Sequence, residues 1–365
     1  MISPLAALLL IISAIVLVAL RAHRHTPTGL PALTSLRAFA AGMVFVLHFV
    51  HDFGAELPGL LPYVVGSGYE YVSVFFVLSG FLLTLSIRRE LRAKQFSLRQ
   101  YFIRRAARIL PLYYALLAIT FVLTPDAVHW QNVLLAQSFF NSTLFTGIVA
   151  AWTLPIEESF YLVLPIVIWL CVKFGKSNGL VICCLVLMFA GFCMVALHIP
   201  NFIINLNFMW SRTIFGRFPL FAMGVACAFM YERRKQWPLA LLILSGGWLI
   251  AATMLAVLET PGLDFRLADM FVGLAAGGVV LGLASDNRVT RFLGNRYFVY
   301  LGVISYALYL VHLTPLMAWL IPLVSSPLDL AAAYAIATLL SVALYELLEQ
   351  PARRAILNRF ALMAS

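Results

Sequence analysis

The sequence predicts a polytopic bundle of transmembrane α-helices, all-α in class. Three observations carry that expectation: an excess of apolar residues, a series of long apolar runs, and basic residues that gather in alternate connections. Of 365 residues, 63% are hydrophobic and only 11% charged. A soluble globular domain is closer to half apolar and a quarter charged. This excludes an ordinary cytosolic enzyme and a disordered chain. Membrane β-barrels dilute their hydrophobicity by alternation, so helices remain, because they satisfy their own backbone polar groups in lipid.

The first run, Leu5–Leu20, has no basic residues before it and Arg21 and Arg24 after it. A cleaved signal peptide carries its charge on the other side, so the run reads as an uncleaved anchor within a segment 1–24. Ten further spans are expected at Leu33–Val50, Val72–Ile87, Ile109–Leu123, Phe160–Val172, Leu180–Leu197, Thr213–Met230, Pro238–Leu258, Leu267–Ala284, Val299–Leu320 and Leu330–Leu347. That makes about 11 spans. The core domain is expected over 33–353 and a cytoplasmic tail over 354–365. The segment between the third and fourth of the ten holds a short apolar stretch, Trp130–Phe140, too short to span and read as interfacial or re-entrant.

The net charge of +10 would point to nucleic acid in a soluble protein. Here it reads as positive-inside bias, and no nucleic-acid partner is expected. Alternating spans place 21 of the 25 Lys and Arg residues in inner connections. The exceptions are Arg212, Arg217 and Arg266 at outer ends, and Arg37 inside a span. This orientation puts the C-terminus in the cytoplasm and the protein in a bacterial cytoplasmic (inner) membrane. The five cysteines lie in apolar runs without a Cys-x-x-Cys pair, so they read as core residues and no metal is expected.

Ionisable groups inside spans are costly and point to function. Arg37 and His48 are eleven positions apart. That is about 20° off three whole turns, so they share one helix face roughly 16 Å apart along the axis. The plain alternative is a snorkelling Arg37 and a satisfied core histidine. His51 reads as interfacial. Ser79-Gly80 is a small pair among bulky aromatics, readable as close helix packing. The segment Arg88–Arg108 carries eight basic residues against Glu90. It reads either as a helix on anionic headgroups or, through Arg104, Arg105 and Arg108, as a phosphate site. Pro111 follows, where a bend is expected. Glu157 and Glu158, after Trp152, open the next span, where acidic residues also suit a helix N-terminus.

Together these segments resemble acyltransferase family 3, integral membrane proteins that include polysaccharide O-acetyltransferases. Arg37 and His48 match the family's Arg and His with ten residues between them. Phe75, Phe76, Ser79, Gly80 and Phe81 match its Phe-Phe-x-x-Ser-Gly-Phe element. Arg104, Arg105, Arg108, Ile109, Pro111 and Tyr113 match its Arg-Arg-x-x-Arg-Ile-x-Pro-x-Tyr element. Trp152 to Tyr161 matches its Trp-Ser-Leu-x-x-Glu-x-x-Phe-Tyr element, with Thr153 in place of Ser and Glu157 on the family carboxylate. Arg217 with Gly224, the run Ser305–His312, and Glu349-Gln-Pro351 agree more loosely.

The resemblance implies an O-acyltransferase with acyl-CoA, most often acetyl-CoA, as donor, and a glycan hydroxyl as acceptor. That acceptor is an exopolysaccharide, an O-antigen or a lipid-linked sugar. With the topology above, the donor arrives from the cytoplasm and the acceptor from outside. Membrane lipids and polysaccharide-assembly proteins are the expected partners. His48 is the expected general base, with a transient acyl-histidine as the competing route. Arg37 holds the donor or organises the site. Glu157 orients His48 or the acceptor. Arg104, Arg105, Arg108 and Tyr113 are the donor-binding candidates, and Trp152, Arg217 and Ser79 the acceptor-side ones. His312 is expected to pack or hydrogen-bond in the bundle. The rival from another class is a transporter of lipid-linked sugar or organic acid, whose pathway would also need intramembrane Arg, His and Glu.

Overall fold

A computed structural model describes residues 3–26, 29–50, 57–197, 201–202, 205–257 and 265–362. His51 lies outside them. The chain opens with α1 (Pro4–Ala22) and α2 (Pro31–Phe49), each begun by a proline in its first turn, where no N–H is missed. Helix α3 (Tyr71–Arg92) turns within five residues into α4 (Leu98–Leu123), capped by the Ser97 hydroxyl. The basic segment is therefore not a separate surface helix: its charges ride on the last turns of α3 and the first of α4. Pro111 sits inside the continuous α4. Helices α5 (Leu154–Phe174) and α6 (Lys176–Ala196) meet at Gly175, whose φ of 87° is one that side-chain-bearing residues avoid. Then follow α7 (Ile214–Arg233), α8 (Leu239–Val257) and α9 (Phe265–Ala284).

Every expected span falls on helix, with two differences of shape. The run read as Val299–Leu320 is not straight. It comprises α10 (Arg296–Val303) and α11 (Ser305–Val311), and the chain then bends by 75° into Pro315–Leu323. The last span, α12 (Pro327–Leu344), passes through a π-helical turn at Tyr345–Glu349 into α13 (Gln350–Leu362). The expected tail thus continues the helix past Arg353. Among the described residues, eight helices or helical runs are long and apolar enough to cross a membrane. The bent pair and two shorter apolar helices, Leu239–Met254 and Ala268–Ala284, come in addition.

Burial sorts the helices. Within an 18-residue apolar window of each, 67% of residues are buried in Leu61–Arg92 and in Leu206–Arg233, against 22% in α1 and 17% in α6. The former hold the centre, and the latter turn residues such as Leu8, Phe189 and Phe192 outward, as a lipid-facing surface demands. The centre is a close crossing of α3 and α7. A Cβ on Gly80 would strike the Phe221 carbonyl, and one on Gly224 would strike the Val77 carbonyl. Small residues permit that approach between helices.

The basic clusters meet at one end. Arg88 and Arg92 bind Glu232 at 2.6 and 2.5 Å, Lys176 lies over Phe229, Arg99 over Phe360, and Arg296 contacts His23. At the other end, the segment between α4 and α5 folds back on the bundle in short turns. Its buried polar side chains satisfy its own backbone: Asn132 donates to the Thr146 carbonyl, Gln137 to that of Ala151, and Ser138 to that of Trp152. The stretch Trp130–Phe140 is a single helical turn, Trp130–Val133, and a 3₁₀ turn, Gln137–Phe139, in this cap.

The crossing yields a direct test. Gly224→Val should destabilise the protein by about 1–3 kcal/mol through overpacking. Gly246→Ala, with open space around it, should not. Thermal unfolding in detergent compares the two.

Candidate functional site

Two clefts lie end to end inside the bundle. The first, about 800 Å³ of empty space partly open to solvent, is lined by Arg37 from α2, Ser79 from α3, Arg105 and Arg108 from α4 and Glu157 from α5. Phe75, Tyr161, Ser305, Tyr306 and Tyr309 complete much of its wall. Arg105 and Arg108, three residues apart, present one face of α4. Arg37, Arg105 and Arg108 make no ion pair within 4 Å among the described residues, and the buried Arg105 Nε has no hydrogen-bond partner there. The nearest compensation is electrostatic. Glu157 lies within reach of all three arginines, and Glu349 within reach of Arg37 and Arg108.

The second cleft, about 500 Å³, is lined by His48, Tyr69, Phe145, Trp152, Arg212 and His312, with Val44 and Val149 among its apolar wall. Both clefts include Val72 and Tyr309 in their linings. The Tyr309 hydroxyl also shares a 3.2 Å hydrogen bond with Thr153 of the first cleft. The arginine cleft and the histidine cleft are therefore neighbours across one tyrosine ring.

The histidines are held alike. His48 Nδ1 lies 2.8 Å from the Val44 carbonyl, and His312 Nδ1 lies 2.7 Å from that of Tyr309. A carbonyl only accepts, so each Nδ1 carries the proton and each Nε2 keeps its lone pair. The rings stand 5.1 Å apart between centroids, and among the described residues the buried His312 Nε2 has no partner. His312 does pack and hydrogen-bond, as the sequence reading has it, yet its second nitrogen is left free.

The residues singled out from sequence divide accordingly. Arg37, Ser79, Arg105, Arg108 and Glu157 come together in the first cleft, and His48 and Trp152 in the second. Glu157 does not orient His48. Its carboxylate accepts from the Tyr161 hydroxyl at 2.7 Å, and the Val44 carbonyl holds the imidazole. Arg104 points elsewhere, paired with Glu90 at 2.7 Å on a shallow groove formed by α4 and α13. Tyr113 is fully buried and donates to the Asn132 carbonyl at 2.7 Å, so it anchors the cap to α4 and lines neither cleft. Arg217 also lines neither. It is 3% exposed, pairs closely with Asp269, and bonds Tyr69 Oη and the Ser211 carbonyl, each at 2.9 Å. Those partners give it a structural place: it fixes Tyr69, a wall of the second cleft.

Several residues that line or support the clefts were not singled out from sequence. Tyr309 and Tyr306 belong to a recognised run, but which of its tyrosines face a cleft depends on the breaks around α11. Arg212 was noted only as an outer-end charge. Asp269 carries an in-span signal of its own, a lone carboxylate in an apolar run, and pairing it with Arg217 requires the fold.

Comparisons with known proteins identify the family. Residues 30–346 match acyltransferase family 3, described as an acyltransferase domain. The O-acetyltransferase OatA of Staphylococcus aureus strain NCTC 8325 / PS 47 is 25% identical over 324 residues, covering 79% of this chain and 51% of the relative. OatA of strains COL and MRSA252 gives the same figures. The chain thus spans about half the length of the curated relatives it matches. No solved structure matches. With its family-matched segment running from the start of α2 to the π-helical turn, and with the arginine and histidine clefts inside it, the chain belongs to acyltransferase family 3.

Proposed function

We propose that the protein is a membrane O-acyltransferase that moves an acyl group, in the first instance acetyl, from acyl-CoA to a glycan hydroxyl. The observation that carries the reading is the pair of clefts sharing Val72 and Tyr309, with three arginines unpaired by carboxylates on one side and an imidazole with a free Nε2 on the other. O-acetyltransferase relatives support the reaction class.

Arg105 and Arg108 lie near the end of the bundle where the basic clusters gather. The positive-inside rule makes that end cytoplasmic, where CoA is available. Guanidinium forks suit phosphate oxygens, and the unbonded Arg105 Nε is a donor awaiting an acceptor. The pantetheine arm then runs along the cleft past Ser79 and Arg37 toward Tyr309. The acceptor hydroxyl enters the second cleft from the opposite, outer end. His48 Nε2 takes the hydroxyl proton while the oxygen attacks the thioester carbonyl. Collapse of the tetrahedral adduct breaks the C–S bond, forms the ester and expels CoA thiolate, which takes the proton back from the His48 imidazolium and leaves the base neutral. Arg37, which lines the first cleft and lies within electrostatic reach of Glu157 and Glu349 yet is bound to neither, holds the donor along its path. The protein would lie in the bacterial cytoplasmic membrane with its C-terminus inside.

His48→Ala should lower kcat by about 10²–10⁴-fold, the usual worth of a positioned base, with membrane insertion intact. Transfer of labelled acetyl from acetyl-CoA to envelope glycan by the purified variant is the assay, and a wild-type rate would overturn the assignment. Arg108→Ala should raise KM for acetyl-CoA about tenfold or more and change kcat less. Unaltered donor affinity by direct titration would return the arginine cluster to the lipid surface. Label recovered free in solution on both sides of a reconstituted vesicle, with none on an acceptor, would favour a carrier instead.

A further inference from the structure

The second cleft holds one more charged group that the reaction above does not use. Arg212 reaches it from the short helix Leu206–Arg212 and lies over three rings. Its guanidinium carbon is 4.5 Å from the Trp152 centroid, 4.8 Å from Tyr69 and 5.5 Å from Phe145. A guanidinium steadied by rings need not spend its N–H groups on hydrogen bonds to the protein. Among the described residues Arg212 makes no hydrogen bond and no ion pair. Its neighbour Arg217 is the contrary case, with Asp269, Tyr69 and the Ser211 carbonyl on its donors. Glu70 and Asp269 are within electrostatic reach of Arg212, but neither lines the cleft. Among the described residues the lining contains no carboxylate: it offers one fork of donors, two imidazole lone pairs and an aromatic wall.

We infer that the histidine cleft is built for an anionic acceptor, with Arg212 reading a carboxylate or phosphate of the saccharide that bears the reacting hydroxyl. The inference rests on the acyltransferase reading for its word acceptor, but the binding it asserts does not. Tyr69, Phe145 and Trp152 orient the fork. A bidentate pair with a carboxylate or a phosphate fixes the sugar's position and rotation together. The Nε2 of the buried His312, beside His48 and without a hydrogen-bond partner among the described residues, accepts a second hydroxyl. Arg212 is a specificity-determining residue on this account: it selects which saccharide is offered to the base and takes no part in the proton transfer.

The test is direct binding to the full chain in zwitterionic nanodiscs, with no acyl donor present. Three probes are titrated by calorimetry: methyl β-D-glucuronide, glucose 6-phosphate and methyl β-D-glucoside. At least one anionic probe should bind tenfold or more tightly than the glucoside. Preference for the glucuronide alone assigns a uronate-type acceptor, and preference for the phosphate alone a phosphorylated one. Arg212→Gln should abolish the preference while glucoside binding and thermal stability stay as in the parent. Arg212→Lys, which keeps the charge and loses the fork, should restore part of it. Equal binding of all three probes, no binding of any, or an undiminished preference in Arg212→Gln overturns the inference. Acetyl transfer is measured separately: its absence with anion preference intact would count against the enzyme reading and leave this one standing.

Discussion

A cation buried among apolar helices is expensive unless something nearby compensates its charge. This bundle compensates its buried and half-buried arginines in three different ways, and the differences organise the rest of the molecule. Arg217 receives a carboxylate, a hydroxyl and a carbonyl, and becomes a fixed part of the scaffold. Arg212 receives rings, which steady it without occupying its donors. Arg37, Arg105 and Arg108 form no ion pair among the described residues and lie in the field of Glu157, with Glu349 also near Arg37 and Arg108 and Glu158 near Arg105. A fully bonded guanidinium has nothing left to offer a ligand, whereas one held by faces or fields does.

The scaffold that permits this is a pair of helices pressed backbone to backbone. Gly80 and Gly224 let α3 and α7 cross closely, so that residue 79 can face a cleft while residue 80 is consumed in packing. The same crossing brings Ser73 and Tyr69 against Arg217. Packing and polar chemistry are here interleaved residue by residue, and a change aimed at one is felt by the other. Helix α12 ends in a comparable compromise. Its π-helical turn places Glu349 in the interior, 4% exposed and with one oxygen unbonded, on the side of Arg37 and Arg108. Such turns recur at working positions because they redirect a side chain at the cost of one irregular hydrogen bond.

Much of this was legible in the sequence, and the rest was hidden for identifiable reasons. Helices that must satisfy their own backbone in lipid announce themselves by length and apolarity. The segments from Leu33–Val50 to Leu330–Leu347 accordingly fall on helix. Arg37, His48, Arg105, Arg108 and Glu157 stood out because charge is rare in such runs. Their division into two clefts was not legible, since a common helix face fixes direction but not depth. Nor was the fate of Arg217 or Tyr113, whose partners lie 52 and 19 residues away. Equally hidden was the break after Val311, which makes one apparent span into two directions of chain. Local pattern identifies which residues are unusual. Only the fold determines which of them are already bonded.

Tyr309 forms part of the lining on both sides of the boundary between the clefts. A molecule that shifts this ring from one side alters the shape met by a molecule on the other. Thermodynamic linkage makes such an effect mutual: whatever factor the first ligand imposes on the affinity of the second, the second imposes on the first. A single phenol in that position would couple the two binding equilibria, so that the affinity on one side depends on occupancy of the other.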